Sequence, residues 1–268
     1  MSCFLPPEIL DLIIDQLHDE PATLKSCCVV SKPWIPRTRR HLFARVEFDA
    51  LEHLIESWMK IFPDPSNSPA HHTRSLSIRS FPAVTTADAD VAIWVRTFRN
   101  VVDVHFGDLI WTGQHDPLTP FYGFSHTVRS LRLTSTTFGV FNLICSFPLL
   151  EDLALVSLRP EIDTDGGRAP LTSPKLTGSL ELSVVRGIRS AVRRLLDFPD
   201  GLRFSKVEVC CHRVGFEPVA DLVSKCSGSL ESLNIYSLAM GTPVPSTSPI
   251  DQYLTAAHRH RDVQHVPP

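Results

Sequence analysis

Charge is scarce in this chain. Of 268 residues only 21% are charged, and 26 basic against 29 acidic side chains leave a net charge of −3. A soluble domain usually carries ~25% charged residues. So small an imbalance argues against a nucleic-acid partner, which calls for a basic excess, and against a chain kept unfolded by self-repulsion. Aromatic residues make up 8%, and glycines number 12. There is no apolar run of the roughly eighteen residues a membrane span needs, so no association with a membrane is expected. The start, Met1 to Pro6, lacks the basic-then-apolar layout of a secretory leader. The seven cysteines (Cys3, Cys27, Cys28, Cys145, Cys210, Cys211, Cys226) form no framework spacing. Free thiols in a reducing compartment, cytoplasm or nucleus, are the expectation.

Proline, by contrast, is plentiful at 22 residues, and 43% of the chain is apolar. That combination implies many short elements punctuated by turns, with ample material for a core. Leu5 to Leu17 reads as an amphipathic helix. Pro7 suits its first turn, where a missing N–H is harmless, and Glu8 and Asp11 sit near the positive end of the helix dipole. Ile9, Leu12, Ile13 and Leu17 make one apolar stripe, and Leu10 and Ile14 add a second. A second helix is expected over 21–30 and a third from about Trp34 to Phe43, its start confined by Pro33 and Pro36. Three helices this short make a small core, and the leftover apolar surface asks for a partner.

Leu5-Pro6-x-Glu8-Ile9, then Cys28-Val29-Val30-Ser31-Lys32-Pro33-Trp34, then His41-Leu42-Phe43 come in order at suitable spacing, and together they resemble the F-box motif. Pro33 stands where a polar residue is commoner in that family. The resemblance implies a three-helix F-box over residues 1–45, docked on the Skp adaptor and through it on a cullin. Leu5, Pro6, Ile9, Val30 and Trp34 would lie at or near that contact. The competing expectation is a plain helical cap for the next domain. Phe48 to Phe62 then reads as another helix, with Leu51, Leu54, Ile55, Trp58, Met59 and Phe62 on one face and Asp49 with Glu52 as a capping pair. With the Pro/Ser/Asn stretch after it, this makes residues 46–72 a linker helix and loop.

The rest of the chain is self-similar. Apolar-x-apolar pairs recur at Leu76/Ile78, Val102/Val104, Leu131/Leu133, Leu153/Leu155, Leu180/Leu182, Val207/Val209 and Leu233/Ile235, at intervals of 26, 29, 22, 27, 27 and 26 residues. The best copies, Leu150-x-x-Leu153-x-Leu155-x-x-Leu158 and Leu230-x-x-Leu233-x-Ile235-x-x-Leu238, resemble the core of the leucine-rich repeat, whose period is ~20–29 residues. Amphipathic helices fit between the pairs at Ala89 to Phe98, Ile188 to Leu196 and Phe216 to Cys226. Strand then helix, repeated in one direction, gives a parallel sheet with an outer helical layer. An ordinary α/β sheet is the rival, but it would bury both faces of every strand and read as unbroken apolar runs. The expected fold is therefore α/β: a three-helix F-box, then a short curved leucine-rich-repeat solenoid over residues 73–240 with a parallel sheet on its concave face, then a disordered tail over 241–268.

The wet strand face is the expected binding surface. Asp103, Arg132, Glu181, Glu208, Asn234 and Tyr236 are its candidate contacts, on a surface roughly 29 Å long if seven strands lie ~4.8 Å apart. That length suits a target protein. Glu181 and Glu208 become lateral neighbours, which calls either for a basic feature on the partner or for two solvated side chains splayed apart. No catalytic set emerges: there is no phosphate-binding glycine loop, no G-x-S-x-G and no CxxC metal spacing. Cys210-Cys211-His212 reads as strand, Asp163 to Gly167 as a turn, and Arg37, Arg39, Arg40 and His41 as a solvated basic helix face. No cofactor or metal is expected. The resemblance implies a substrate-recognition adaptor of a Skp–cullin–F-box ubiquitin ligase and no enzymatic activity. A repeat scaffold without a ligase role is the alternative, and a hydrolase built in the loops ranks third. After Leu238 no capping repeat is evident, so either the last repeat is covered irregularly or the sequence is truncated.

Overall fold

A computed structural model describes residues 6–49, 51–79, 93–108, 126–136, 140–157, 174–183, 188–198, 201–211 and 216–237. Leu5, the Asp163–Gly167 stretch and residues 241–268 lie outside them. The fold is α/β, on an eight-stranded parallel sheet whose strands follow one another in chain order without closing. The chain divides into two compact units, and the division falls within the third strand, between His105 and Phe106.

The first unit opens with helices α1 (Pro7–Gln16) and α2 (Pro21–Val30), then a 3-10 turn (Lys32–Trp34) and α3 (Ile35–Leu42). Each begins with a proline at its first or second position, where no N–H is needed. Pro33 and Pro36 together split the expected third helix into the 3-10 turn and α3. Next comes strand β1 (Arg45–Asp49), which replaces the first turn of the helix expected from Phe48; the helix itself, α4, spans Leu51–Ile61. In β1, Val46 and Phe48 are buried while Arg45, Glu47 and Asp49 are exposed. β1 pairs in parallel with β2 (Ser75–Arg79), Val46 beside Leu76 and Phe48 beside Ile78. Two short 3-10 turns, Pro65–Asn67 and Pro69–His72, lead into β2.

Phe48 joins an aromatic core. Its ring lies 5.7 Å from Trp58, 5.2 Å from Trp94 and 6.3 Å from Phe98, all near edge-to-face, the geometry that aligns a ring's positive edge with its neighbour's negative face. Phe43 and Phe62 extend the cluster from either side of α4. Trp94, Val95 and Phe98 are buried as the sequence leads one to expect, and residues 93–95 are helical.

Strand β3 spans Asp103–Gly107, and it corrects the sequence reading by one step of two residues. Val104 and Phe106 are its buried pair, in place of Val102 and Val104. The hydrogen bonds show why. The N–H groups of Arg74 and Ser75 both reach the Ala44 carbonyl where β1 meets β2, and those of Val102 and Asp103 both reach Arg74 in the same way. Asp103 therefore matches Ser75, and His105 takes the central position of β3.

The second unit continues with β4 (Ser130–Thr134), α5 (Val140–Cys145), β5 (Asp152–Val156), β6 (Ser179–Ser183), α6 (Ile188–Leu196), β7 (Lys206–Cys211), α7 (Phe216–Cys226) and β8 (Ser232–Ser237). Leu131/Leu133, Leu153/Leu155, Leu180/Leu182 and Val207/Val209 are buried in register, with α6 and α7 packed on each other behind. On α6, Ala191, Val192 and Leu195 face inward and Arg189 and Arg193 outward, as their spacing implies.

Entrances and exits of the strands repeat. Paired N–H groups from the following segment also meet the carbonyls of Arg129, Gly178 and Ser205. At β6 the pattern varies: Gly178 N–H keeps the Glu151 carbonyl, while Ser179 N–H and Oγ turn to Asp152 Oδ1 at 2.7 and 2.6 Å. At the exits, Asp108, Ser135 and Ser157 all adopt left-handed backbone with φ of 52–53°, and their N–H groups bond the carbonyls of Thr134, Val156 and Ser183 on the next strand.

Two stability changes follow. Phe48→Ala should lower unfolding free energy by about 3–5 kcal/mol in denaturant titration, the range for emptying a core aromatic site; a loss below ~1 kcal/mol would place Phe48 outside the core. Gly178→Ala would set a Cβ 2.5 Å from Asp152 Oδ1 and 3.0 Å from the Glu151 carbonyl oxygen. Because Asp152 is held by Ser179, the same titration should show a loss of about 1–3 kcal/mol.

Candidate functional site

In the helical layer of the first unit, α1 is divided lengthwise. Ile14 is buried and Leu10 and Leu17 are half-buried, whereas Ile9, Leu12 and Ile13 stand 43–57% exposed. α2 repeats the division: Leu24 and Cys27 are buried, Val29 is 85% and Val30 67% exposed. Five large aliphatic side chains thus face water on two helices that each already own a buried side. Of the residues expected at the adaptor contact, Pro6, Ile9 and Val30 are exposed and Trp34 is half-buried in the 3-10 turn. Leu12, Ile13 and Val29 were missing from that expectation, although Leu12 and Ile13 lie on the stripe through Ile9.

The layer is held by polar groups on α3. Arg37 donates through both Nε and Nη2 to the Asp15 carboxylate, and His41 Nε2 lies 2.7 Å from Asp15 Oδ1. Hydrogen bonds from Arg37 first and His41 second hold the Asp15 carboxyl well below the ordinary 3.8. Thr38, fully buried, donates its hydroxyl to the Trp34 carbonyl and ties the 3-10 turn to α3. The Asp15 clamp therefore fixes α1 to α3 on the side away from its exposed aliphatics, while α2 packs on α3 with Leu24 and Cys27 buried.

In the second unit the strand faces opposite the leucines carry a polar row. Arg132, Ala154, Glu181, Glu208 and Asn234 are lateral neighbours in that order. Arg132 reaches over Ala154, two strands along, and binds Glu181 in a bidentate pair at 3.0 and 3.1 Å. Ala154 permits this because its methyl leaves the path open. The charge of Glu181 is thus offset from within the chain, an arrangement that neither alternative, a basic feature on a partner or two splayed side chains, includes. Among the described residues Glu208 has no ion pair. Beside this row Ser183, Cys210 and Tyr236 are aligned, and Tyr236 is 52% exposed.

Asp103 belongs to the first unit, exposed at the first position of β3 and not between two buried residues as the Val102/Val104 pair implies. That unit's own central row runs Glu47, Ser77, His105, with Ser77 Oγ 3.2 Å from His105 Nδ1. Sequence reasoning missed this pair because the two-residue slip in β3 put Asp103 in His105's place.

Among the described residues no group of three or more His, Cys, Asp or Glu side chains is placed to hold a metal ion, and no helix is long and apolar enough to cross a membrane. Burial raises the Cys145 thiol to about 11 and raises Cys226 as well, so neither is poised as a thiolate. No family model matches the chain, and no curated protein matches it.

The Asp15 clamp has a pH signature. A carboxyl whose pKa is depressed in the folded state stabilises above its unfolded value and loses that contribution as pH falls through the folded one. Asp15→Asn should cost about 1–2 kcal/mol at pH 7, modest because the pair is partly exposed. The deficit should shrink steadily below about pH 4 in acid-dependent denaturation; a deficit unchanged at pH 3 would refute the clamp.

Proposed function

We propose that the chain is a substrate-recognition adaptor of a Skp–cullin–F-box ubiquitin ligase, with α1 to α3 as the F-box and the strand row as the surface that holds a target protein. The observation carrying this is the set of exposed aliphatics Ile9, Leu12, Ile13, Val29 and Val30 on helices that each already pack a buried side, α1 being clamped to α3 as well. A free-standing cap would have no use for them. Fully covering an aliphatic side chain yields about 1.5–3 kcal/mol, so even the exposed halves of five sum to a sizeable drive for association. The motif residues through Phe43 support the adaptor as the partner.

The role is positional. Bound through the helices to the ligase and through the strand row to the target, the chain raises the effective concentration of target lysines near a charged conjugating enzyme. The raised thiols of half-buried Cys145 and buried Cys226 fit a protein that carries no ubiquitin thioester itself. Arg132, Glu181, Glu208, Asn234 and Tyr236 are the target contacts in the second unit, with Asp103 in the first. The curved leucine-rich-repeat solenoid belongs to the same proposal: 22–30-residue spacing of buried strand pairs and alternation of wet and dry positions support it.

Co-expression of the full chain with a Skp adaptor should give a complex stable to gel filtration. Ile9→Asp with Val30→Asp should weaken it by at least about a hundredfold, since each change sets a charge in an apolar contact, while Glu208→Lys should leave it intact. Absence of a complex, or one indifferent to the double change, would leave a repeat scaffold without a ligase role.

A further inference from the structure

One basic cluster has no place in that function. His71 and His72 close the 3-10 turn Pro69–His72, which packs against α3 where Arg39 and Arg40 stand. The two imidazole centroids lie 3.9 Å apart with their planes tilted by 50°. His71 Nδ1 lies 2.8 Å from the Ser68 carbonyl oxygen. That oxygen can only accept, so Nδ1 carries the proton and Nε2 is left unengaged by it. Arg39, Arg40 and His71 lie near enough to His72 to add to the effect of burial in lowering its pKa.

The turn is rigid. Ser68 Oγ takes the Trp58 indole N–H at 3.2 Å and the Ala70 N–H at 3.3 Å, which ties it to the aromatic core. Asn100 Nδ2 donates to the His71 carbonyl at 2.6 Å, and Thr73 Oγ1 to the Phe43 carbonyl at 2.9 Å. Arg37, on the same helix, is neutralised by Asp15, yet among the described residues neither Arg39, Arg40, His71 nor His72 meets a carboxylate. Arg39 and Arg40 therefore set a positive field beside this frame that a bound anion would lower.

We propose that Arg39, Arg40, His71 and His72 form a binding site for a phosphate dianion, carried as the monoester of a phosphoserine or phosphothreonine or met as free inorganic phosphate. Two charges and three acceptor oxygens match two guanidinium groups and an imidazole better than the two oxygens of a carboxylate. The site stands independently of the ligase reading, because it uses neither the exposed aliphatics nor the strand row.

The test uses the full chain at constant ionic strength. Inorganic phosphate, a short phosphoserine peptide and its unphosphorylated twin are titrated separately, with histidine imidazole resonances and the thermal midpoint as readouts. Saturable shifts with phosphate or phosphopeptide, absent with the unphosphorylated peptide, are expected. A phosphopeptide at least about tenfold tighter than phosphate assigns a phosphorylated protein as the source, and equal affinities assign the free ion. Arg39→Gln with Arg40→Gln should weaken binding at least about tenfold while leaving the ligand-free midpoint in place, and His72→Gln should weaken it less. Shifts that never saturate and are matched by sodium chloride, or saturable binding untouched by the double arginine change, would overturn the site.

Discussion

A parallel sheet of five- and six-residue strands depends on how each strand is started. At Ala44, Arg74, Arg129, Gly178 and Ser205 one backbone carbonyl receives two consecutive N–H groups from the next segment. That fork fixes which residue comes first in the new strand, and so which side chains face the helices and which face water. In strands this short a slip of one residue would turn every leucine outward. The buried columns of both units, and the polar row that runs opposite them in the second, are consequences of this repeated start.

The strand pairs of the second unit were legible because leucine and valine at alternate positions admit one placement, and the observed registers follow those pairs. Two failures have physical causes. Val46 and Phe48 form one more apolar pair, 30 residues before Leu76, but Asp49 and Glu52 look like a helix start and drew Phe48 into the helix. In β3, Val102, Val104 and Phe106 share one parity, so periodicity alone could not say which two were buried; the carbonyl fork decides it. The left-handed exits were invisible for another reason. Asp108, Ser135 and Ser157 are ordinary turn residues, and nothing in their identity demands positive φ as a glycine would.

The candidate surfaces were legible to different depths. Exposed aliphatics on α1 and α2 follow from counting apolar stripes on helices too short to bury them all. Arg132 bound to Glu181 could not be foreseen, because it depends on a side chain crossing an intervening strand. Only the small size of Ala154 hints at it. The Asp15 clamp likewise joins residues 22 and 26 positions apart, and no local pattern announces such a pairing.

The exits at Asp108, Ser135 and Ser157 bear on how such a chain can be lengthened in evolution. Each gives its N–H to a carbonyl that belongs to the following strand, so no repeat is finished by its own residues. A duplicated segment can be spliced in without loss only if it brings both halves of the joint, a turn to hand on and an acceptor to receive. Descent by copying would therefore favour whole multiples of one strand with its return path, and would select against fragments that leave one hand of the joint empty.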